Sequence, residues 1–342
     1  MLQIEIIRSQ AEWESLAGAW NDLLSKSITD VPFLRHEFLS AWWQHRGGGE
    51  WLQEAELCIL IAREENGALA AALPLFISKN HAGKSVLMLL GSVEIADFLD
   101  VLAPPDKLDI FLDSVLAYLT GPDALAWETL ELFNLLEESP SLAALESAAG
   151  KYGLKFTSER LQPSPMISLP DNFEAYMESL DGRYRREMLR KIRKALGYFI
   201  PVAVERVEAG DDLAAEMEDF FTMMREESHK DAFLTEPMAA QMQAVARAAF
   251  DHGWLDLRFL MVGREKAAGY FNFVYNNRIW VYNSARADKF DSLSPGIVLI
   301  GLLIEDAIDR GYSEFDLMRG DEDYKYQLGG QDRWVVKAVI SR

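Results

Sequence analysis

Ionisable side chains crowd one stretch near the end of the chain, Asp316–Lys325, directly after an apolar, strand-like segment, Glu314–Leu317. The candidate proton acceptors are Asp316 and Asp323, and the candidate proton donors are Tyr324 and Lys325. Arg319 could contact an anion. Groups of these types, held together, can transfer protons while one chemical group moves between two molecules. A solvated acidic loop would have the same composition, so the residue types leave both interpretations open.

A helix start lies about twenty residues earlier, at Ser294-Pro295-Gly296, ahead of an apolar helix predicted over Ile297–Arg310. Ser294 suits the N-cap, Pro295 suits the first helical position, and Gly296 leaves the backbone open. The first amides of a helix lack intrahelical partners and attract anions, so a phosphate or a thioester carbonyl could bind here. The alternative is a well-capped helix that binds nothing.

Two further positions are candidates for ligand contact. Tyr282 and Asn283 lie in a strand predicted over Ile279–Ala285, whose backbone could face a ligand if it diverges from the strand Glu314–Leu317. In the first half of the chain, Asp97 begins the sequence Asp-Phe-Leu-Asp and could contact substrate. A polar turn is the alternative for each.

A cationic helix is predicted over the segment Arg183–Lys194, which holds seven basic residues in a chain of net charge −20. Apolar side chains recur there at every fourth position, so one face packs and the other, with Arg183, Arg186 and Arg190, is cationic. This face either binds an anionic ligand or an acidic partner, or stays solvated. Nucleic acid fits less well, because no aromatic platform for base stacking interleaves with the cations.

Composition narrows the class of protein. The chain has 342 residues, 49% of them hydrophobic, which is enough for two cores. Its acidic balance, with a pI near 4.7, disfavours broad binding to nucleic acid or anionic lipid. The single cysteine, Cys58, excludes a disulfide within the chain and is expected to be a buried core residue.

Several functional classes lack their motifs. The five histidines are scattered, so we expect no dedicated metal site. There is no GxxxxGK[ST] or strand-linked GxGxxG loop, and no GxSxG or HExxH motif, which argues against nucleotide loops, covalent hydrolases and metalloenzymes. The N-terminus lacks a signal-peptide pattern and no long apolar run appears, so we expect no membrane span and a cytoplasmic location.

The order of predicted elements indicates two copies of one α/β unit. The hairpin-like segments Leu57–Phe76 and Leu255–Val274 share an apolar strand, an acidic turn and a second apolar strand, and each precedes an apolar helix and another strand. Short extended segments are predicted at Lys155–Glu159 and Met166–Leu169, and prolines cluster between residues 162 and 171. We therefore expect mixed α/β sheets in two domains, residues 1–165 and 166–342.

The basic helix, the second hairpin and the closing run resemble the GNAT-like acyltransferases of the cellulose-biosynthesis-associated (CelD/BcsL-like) group. The matching residues of the closing run are Ser294-Pro295-Gly296, Gly311, Phe315-Asp316-Leu317, Gly320 and Tyr324-Lys325. The resemblance covers Phe173–Ile340 and extends more weakly into the first half. This group is similar to the Fem-type aminoacyltransferases, so the resemblance implies tandem GNAT-like (acyl-CoA N-acyltransferase) domains.

The resemblance further implies an acyl-CoA donor such as acetyl-CoA, held without metal in the second domain at Tyr282, Asn283 and Ser294–Gly296. The acceptor would be an amine of a small molecule or of a cell-envelope or polysaccharide-related glycan, contacted by Asp97, Arg319 and the cationic helix. The chain lacks the usual Arg/Gln-x-x-Gly-x-Gly/Ala loop, and Fem-type relatives use aminoacyl-tRNA. A tRNA-dependent transferase acting on a cell-wall precursor, or a catalytically silent binding module, therefore remain alternatives.

The expected reaction is direct transfer. The acceptor amine attacks the thioester, and a backbone N–H near Tyr282 stabilises the oxyanion. Asp316 or Asp323 takes the proton, and Tyr324 or Lys325 protonates the leaving group or holds its charge.

Overall fold

A computed structural model describes residues 1–45, 55–79, 83–122 and 124–342, and His81, one of the scattered histidines, lies outside them. The chain divides into two compact units. Unit 1 comprises Met1–Gln162 together with Trp334–Arg342, and unit 2 comprises Pro163–Arg333. Each unit is a separate arrangement of helices on β-sheet and is described by itself.

Unit 1 begins with short helices and strands and ends in a longer helical pair. Its elements are β1 (Ile4–Ile7), α1 (Gln10–Glu14), α2 (Ala17–Leu24), α3 (His36–His45), β2 (Glu56–Leu57), β3 (Ile59–Arg63), β4 (Leu69–Leu73), β5 (Leu75–Lys79), β6 (Ser85–Leu89), α4 (Leu108–Thr120), β7 (Thr129–Leu136) and α5 (Pro140–Lys151). A strand, β8 (Lys155–Ser168), then leads into unit 2, and the last strand, β14 (Gln331–Ser341), returns from it.

Unit 1 contains an antiparallel sheet and a mixed set of strands. The first has the strand order β1-β3-β4, and β2, β5, β6, β7 and β14 neighbour one another in that order. β6 and β7 run parallel, and α4 is the crossover between them, whereas the other registered pairs in the unit are antiparallel. The strands β3, β4 and β6 are runs of mostly apolar residues, and almost all of their side chains are buried. Such continuous apolar runs are typical of strands that are covered on both faces.

Unit 2 has longer helices and a longer meander. Its elements are α6 (Phe173–Ser179), α7 (Gly182–Leu196), β9 (Val202–Arg206), α8 (Leu213–Arg225), α9 (Ser228–Phe233), α10 (Glu236–Asp251), β10 (Leu255–Val262), β11 (Glu265–Tyr275), β12 (Arg278–Arg286), α11 (Pro295–Asp309), β13 (Glu314–Asp316) and α12 (Asp323–Gln327). The second predicted hairpin is confirmed as β10 and β11, which pair antiparallel.

The decisive feature of the unit 2 sheet is where two strands separate. β13 neighbours β12, which continues through β11, β10 and β9. β12 and β13 are parallel and pair over three positions, from Arg278 with Glu314 to Trp280 with Asp316. β12 then runs on to Arg286, with a register irregularity against β11 between Phe271 and Asn272. The far half of β12 is therefore not paired with β13.

The two short extended segments predicted near the prolines form one strand instead, β8. Proline has no amide hydrogen, but its carbonyl can still accept. The carbonyl of Pro165 accepts from the amide of Leu317 (3.0 Å), and that of Pro163 accepts from Gly320 (2.9 Å). The prolines therefore remove only hydrogen-bond donors from β8, and the strand continues through them.

Helix α7 packs on α11 through its apolar face. Its buried residues are Met188 and Ile192, as the four-residue spacing predicted, and Ala195, whereas Tyr184 and Leu196, which share that spacing, are exposed. The neighbour on α11 is Gly301, where a Cβ atom would lie 3.2 Å from Ile192 and 3.3 Å from Met188. The missing side chain permits this close approach, and the cationic face of α7 is left on the outside.

These observations confirm the predicted fold class, a mixed α/β architecture. Cys58 is buried, and burial raises the pKa of its thiol to about 11. In the part of the chain that the structure describes, no helix combines the length and the apolar character needed to cross a bilayer.

Candidate functional site

A cavity of about 560 Å³ opens in unit 2 beside the first turn of α11. Its lining comes from six parts of the unit. The residues are Lys191 of α7, Glu227, His229 and Lys230 at α9, Tyr270 of β11, Ser284–Arg286 of β12, Asp291 and Ser294–Ile297 at the start of α11, and Glu322 and Tyr324 at α12. The cavity therefore joins a helix N-terminus, a strand edge and ionisable side chains.

The start of α11 differs from the expected capped helix. Ser294 adopts a left-handed conformation (φ 54°) and its side chain makes no capping hydrogen bond. The cause is the preceding 3-10 turn, Asp288–Leu293, which ends with the amide of Ser294 donating to the carbonyl of Asp291 (2.9 Å). Because Ser294 ends that turn, its hydroxyl does not cap α11.

The first amides of α11 consequently stay available. Pro295 occupies the first turn without an N–H, and the first amide bonded back is that of Val298, to the carbonyl of Ser294 (3.0 Å). Gly296 and Ile297 precede it, and no side chain within the described residues caps them. A Cβ atom built on Gly296 would meet nothing within 4 Å, so open space adjoins these amides.

The free half of β12 offers a second set of backbone groups. The amide of Ser284 donates to the Oδ1 of the adjacent Asn283 (2.9 Å), and its carbonyl accepts from the Nζ of Lys230 (2.8 Å). Both partners are side chains rather than a neighbouring strand. Tyr282 is placed differently, because its ring packs on Phe271 and Phe273 at centroid distances of 5.3 and 5.0 Å.

Cations surround the cavity, each with a carboxylate nearby. Lys230 pairs with Glu227 (2.8 Å), and Lys191 lies 3.8 Å from Glu187. Arg286 pairs with Asp291 and with Asp288, and the hydrogen bond to Asp291 raises the pKa of its guanidinium. An anion entering the cavity would meet these three cations already held in place.

Two phenols complete the lining. Tyr270 is buried and its hydroxyl donates to the carbonyl of Gly296 (3.4 Å). Burial raises the pKa of both Tyr270 and Tyr324, and the nearby charge of Glu322 raises that of Tyr324 further. Both phenols therefore stay protonated at neutral pH and can donate a hydrogen bond or a proton.

The acidic run predicted to do chemistry is divided by the fold. Asp316 is fully buried, ion-pairs with Arg333 and accepts from the amide of Met318 (3.0 Å). Lys325 is buried and donates to the carbonyls of Met318 (3.0 Å) and Arg319 (2.6 Å). These contacts fix the loop that follows β13.

The other members of the run lie at or beyond the rim. Tyr324 lines the cavity, as does Glu322, which ion-pairs with Lys325 (2.9 Å). Asp323 is exposed at the start of α12, and Arg319 is half-buried. The structure thus brings Tyr324 to the cavity from this segment, together with Ser294, Pro295 and Gly296 from the predicted helix start.

The remaining predicted contacts lie elsewhere. Asp97 is a half-buried residue of unit 1. Arg183, Arg186 and Arg190 are on the exposed face of α7, where Arg190 pairs with Glu187 (2.7 Å). The same helix contributes Lys191 to the cavity instead.

Several lining residues were missed from the sequence. Glu227 precedes α9 and Lys230 belongs to it, and this short helix has no buried residues. Tyr270 has the sequence surroundings of an ordinary aromatic residue in a strand. Ser284 and Arg286 follow Tyr282 and Asn283 on the same strand, and that strand end was the one available signal. Over the described residues, no group of three His, Cys, Asp or Glu side chains could hold a metal ion.

Comparison with known proteins places the cavity in a recognised domain. Residues 182–326 match the acetyltransferase (GNAT) domain family. This span includes every residue that lines the cavity. The likeness supports an N-acyltransferase type of function for the chain without identifying a substrate. No curated protein sequence gives a significant match.

Solved structures extend the likeness over nearly the whole chain. The crystal structure of FemX aligns with a TM-score of 0.66 at 11% identity, covering 98% of this chain and 96% of that one. A conserved protein of unknown function from Bacteroides thetaiotaomicron aligns at 0.58 and 12% identity, covering 100% of both chains. L-PGS from Bacillus licheniformis aligns at 0.56 and 10% identity, covering 98% of this chain and 92% of that one. At these identities the likeness concerns the fold alone: the chain shares its fold with FemX, and residues 182–326 resemble a GNAT acetyltransferase domain.

Proposed function

We propose that the protein is an N-acyltransferase that binds an acyl-CoA donor in unit 2 and transfers the acyl group to an amine. One observation carries the proposal. The uncapped amides of Gly296 and Ile297, the outward-facing backbone of Ser284 and the phenol of Tyr324 all line one cavity, within the residues that match the GNAT domain.

The phosphate end of the donor belongs at α11. The amides of Gly296 and Ile297 and the positive end of the helix favour a pyrophosphate, and the open space at Gly296 admits it. Lys191 and Arg286 add positive charge around the same opening. In this proposal, these groups bind the pyrophosphate in place of the glycine-rich loop, which is absent from the sequence.

The amide-bearing arm of the donor belongs along β12. An extended ligand can add to a free strand edge through backbone hydrogen bonds. An amide N–H of the donor would replace Lys230 at the carbonyl of Ser284, and a carbonyl of the donor would replace Asn283 at the amide of Ser284. Without the donor, these two side chains satisfy the hydrogen bonds of the strand edge. The separation of β12 from β13 after Trp280 provides the edge.

The chemistry follows from the same lining. The acceptor amine attacks the thioester carbonyl carbon, the carbon–sulfur bond breaks, and a β12 amide near Tyr282 stabilises the oxyanion. Tyr324, neutral at the operating pH, gives its proton to the departing sulfur. Glu227, the carboxylate paired with Lys230, receives the proton lost by the amine.

Asp316 and Lys325 then have a positioning role and do not take part in proton transfer. Arg333 and the carbonyls of Met318 and Arg319 hold these two side chains, which anchor the loop that presents Tyr324. We assign Asp323 and Arg319, which lie outside the cavity lining, to the acceptor side. The acceptor class remains the one the sequence resemblance implies, an amine of a small molecule or of a cell-envelope or polysaccharide-related glycan.

The test is product formation from acetyl-CoA. The protein is incubated with acetyl-CoA and a panel of amino sugars and amines, and free thiol and acetylated product are measured. We expect thiol release that depends on both the protein and an amine, and its loss in Tyr324→Phe. Absence of acetyl-CoA binding, shown by an unchanged melting temperature, would rule out the CoA donor.

An aminoacyl-tRNA donor is the second candidate, and the cationic face of α7 is the observation that favours it. Filter binding of charged tRNA separates the two donors: tight binding of tRNA with no affinity for acetyl-CoA would select the tRNA-dependent transferase. Failure of both ligands to bind would select a catalytically silent binding module.

A further inference from the structure

The exposed face of α7 is a concentrated positive surface on an acidic protein. The helix holds seven basic residues and one acidic residue, Glu187, although the chain as a whole has a net charge of −20. At 100° per residue, Arg183, Arg186, Arg190 and Arg193 project within an arc of about 80° along roughly 15 Å of helix. The buried residues of the helix lie on the opposite side.

Most of these cations have no counter-charge. Within the part of the chain that the structure describes, Arg183, Arg186 and Arg193 make no ion pair, whereas Arg190 pairs with Glu187. Elsewhere the surface arginines Arg225 and Arg247 are paired with nearby carboxylates. The guanidinium groups of α7 that lack an ion pair mark a surface suited to an anionic partner.

Apolar side chains project beside the cations. Phe199 is 82% exposed and Leu196 is 52% exposed, both just beyond or at the end of α7. Phe199 does not belong to a loose loop, because its neighbours Tyr198 and Ile200 pack on the small core of Val262, Ala267 and Leu293. The anchored turn thus holds Phe199 in an exposed position just beyond the end of α7.

We infer that this surface, the cations of α7 together with Leu196 and Phe199, docks on an anionic phospholipid bilayer. A basic helix face beside an exposed aromatic fits the membrane interface, since lipid phosphates attract the cations and the apolar side chains enter the acyl boundary. Salt screening limits electrostatic reach to about 8 Å at physiological ionic strength, so acidic groups elsewhere oppose contact only weakly. An RNA backbone would use the arginines but leave Leu196 without a partner.

Docking would place the cavity close to the bilayer. Lys191 of the same helix lines the cavity, and the Nζ of Lys194 donates to the carbonyl of Ser292 (2.5 Å) just before α11. The inference itself rests on the surface of α7 and stands whether or not the cavity binds an acyl donor.

The test is flotation of the full chain with vesicles. The probes are phosphatidylcholine vesicles with and without phosphatidylglycerol, at low and at physiological salt, and an unrelated tRNA as competitor. We expect binding to the anionic vesicles that weakens with salt. The triple variant Arg183→Gln, Arg186→Gln, Arg193→Gln should reduce partitioning at least tenfold, given about 1 kcal/mol per basic residue at an anionic surface.

Matched variants separate the surface from general charge and folding. Arg8→Gln, Arg247→Gln, Arg264→Gln removes the same charge from exposed positions elsewhere and should bind like the unmodified protein. Phe199→Ala should weaken binding, whereas Ile110→Ala, at an exposed apolar position of α4, should not. Circular dichroism confirms folding of each variant. The inference is overturned if anionic vesicles are not bound at low salt, if both triple variants bind equally, or if tRNA alone is bound.

Discussion

Each unit contains a parallel strand pair joined by a crossover helix, β6–α4–β7 in unit 1 and β12–α11–β13 in unit 2, and the two helices begin differently. The first turn of α4 follows Lys107 and contains Asp109, a negative charge that complements its own helix dipole. The first turn of α11 has Pro295 and Gly296, no acidic residue and no side-chain cap. Neither helix has a side-chain cap, but an acidic side chain lies in the first turn of α4 and none lies in that of α11.

The polar residues around the two crossovers also differ. In unit 1, Asp100 is fully buried and accepts hydrogen bonds from the hydroxyls of Thr29 (2.6 Å), Ser139 (2.6 Å) and Ser141 (2.5 Å) and from the amide of Val101 (2.8 Å). In unit 2, Ser284 lies near the end of β12, the strand before the crossover helix, and lines an open cavity. Asp100 of unit 1 is therefore satisfied by internal hydrogen bonds, whereas Ser284 of unit 2 lines a cavity.

The largest effect is expected from Tyr324→Phe, which removes the proposed proton donor from the unit 2 cavity. Turnover with acetyl-CoA should fall about 100-fold or more, as for loss of a general acid, while donor affinity stays within about twofold. Steady-state kinetics and calorimetry measure the two quantities. Tyr326→Phe, on the same short helix but bonded to Asp332 at the surface, is the matched control and should retain turnover. Equal turnover of the two variants would remove Tyr324 from the mechanism.

Asp100→Asn tests the sealed polar group of unit 1. Burial raises the pKa of Asp100, so its protonated form is favoured in the folded state. That contribution to stability is complete below the unfolded pKa of about 4 and is lost as the pH rises through the folded pKa, by about 1.4 kcal/mol per unit of difference. The free energy of unfolding of the native chain, relative to Asp100→Asn, should therefore fall as the pH rises above about 4.

Denaturant unfolding of both proteins from pH 4 to pH 8 gives this difference directly. A difference that does not change with pH would mean that Asp100 titrates alike in the folded and unfolded chains. Donor binding should be unaffected by the substitution, because Asp100 belongs to unit 1.

A smaller effect is expected from Lys191→Gln, which removes one cation from the unit 2 cavity. Acetyl-CoA affinity should fall about fivefold at low salt, and the loss should shrink as salt is added, because Lys191 is partly exposed and screened. The exposed Lys26→Gln, in unit 1, removes an equal charge and should leave affinity unchanged. Calorimetry at two ionic strengths distinguishes the outcomes; a loss independent of salt would indicate a role other than charge.

Many helices and strands of both units could be predicted from sequence, but not the short helix α12, which carries Tyr324. Apolar periodicity marked α7, α11 and the strands, and the acidic turn between two apolar runs marked the hairpin β10–β11. The likeness of the two hairpins indicated a repeated α/β unit. These signals are local, and the fold class that they imply is confirmed.

The side-chain roles around the cavity depend on distant partners and were largely hidden. Asp316 looked like a candidate base, but its partner Arg333 lies seventeen positions away, on another strand. Lys230 reaches Ser284 across fifty-four positions from a helix with no buried residues. Ser294 looked like a cap, yet the turn before it imposes a left-handed conformation. Local spacing identifies the helix start but contains no information on these tertiary contacts.

The most direct test of the comparison is calorimetric titration of acetyl-CoA into Gly296→Asp. Gly296 has open space and ordinary backbone geometry, so aspartate fits there and complements the helix dipole as Asp109 does in α4. Asp109→Asn serves as the control in unit 1. We predict that the native chain and Asp109→Asn bind alike, whereas Gly296→Asp binds at least tenfold more weakly with no loss of thermal stability. Equal binding by Gly296→Asp, or no binding by the native chain, would contradict a donor site at the start of α11.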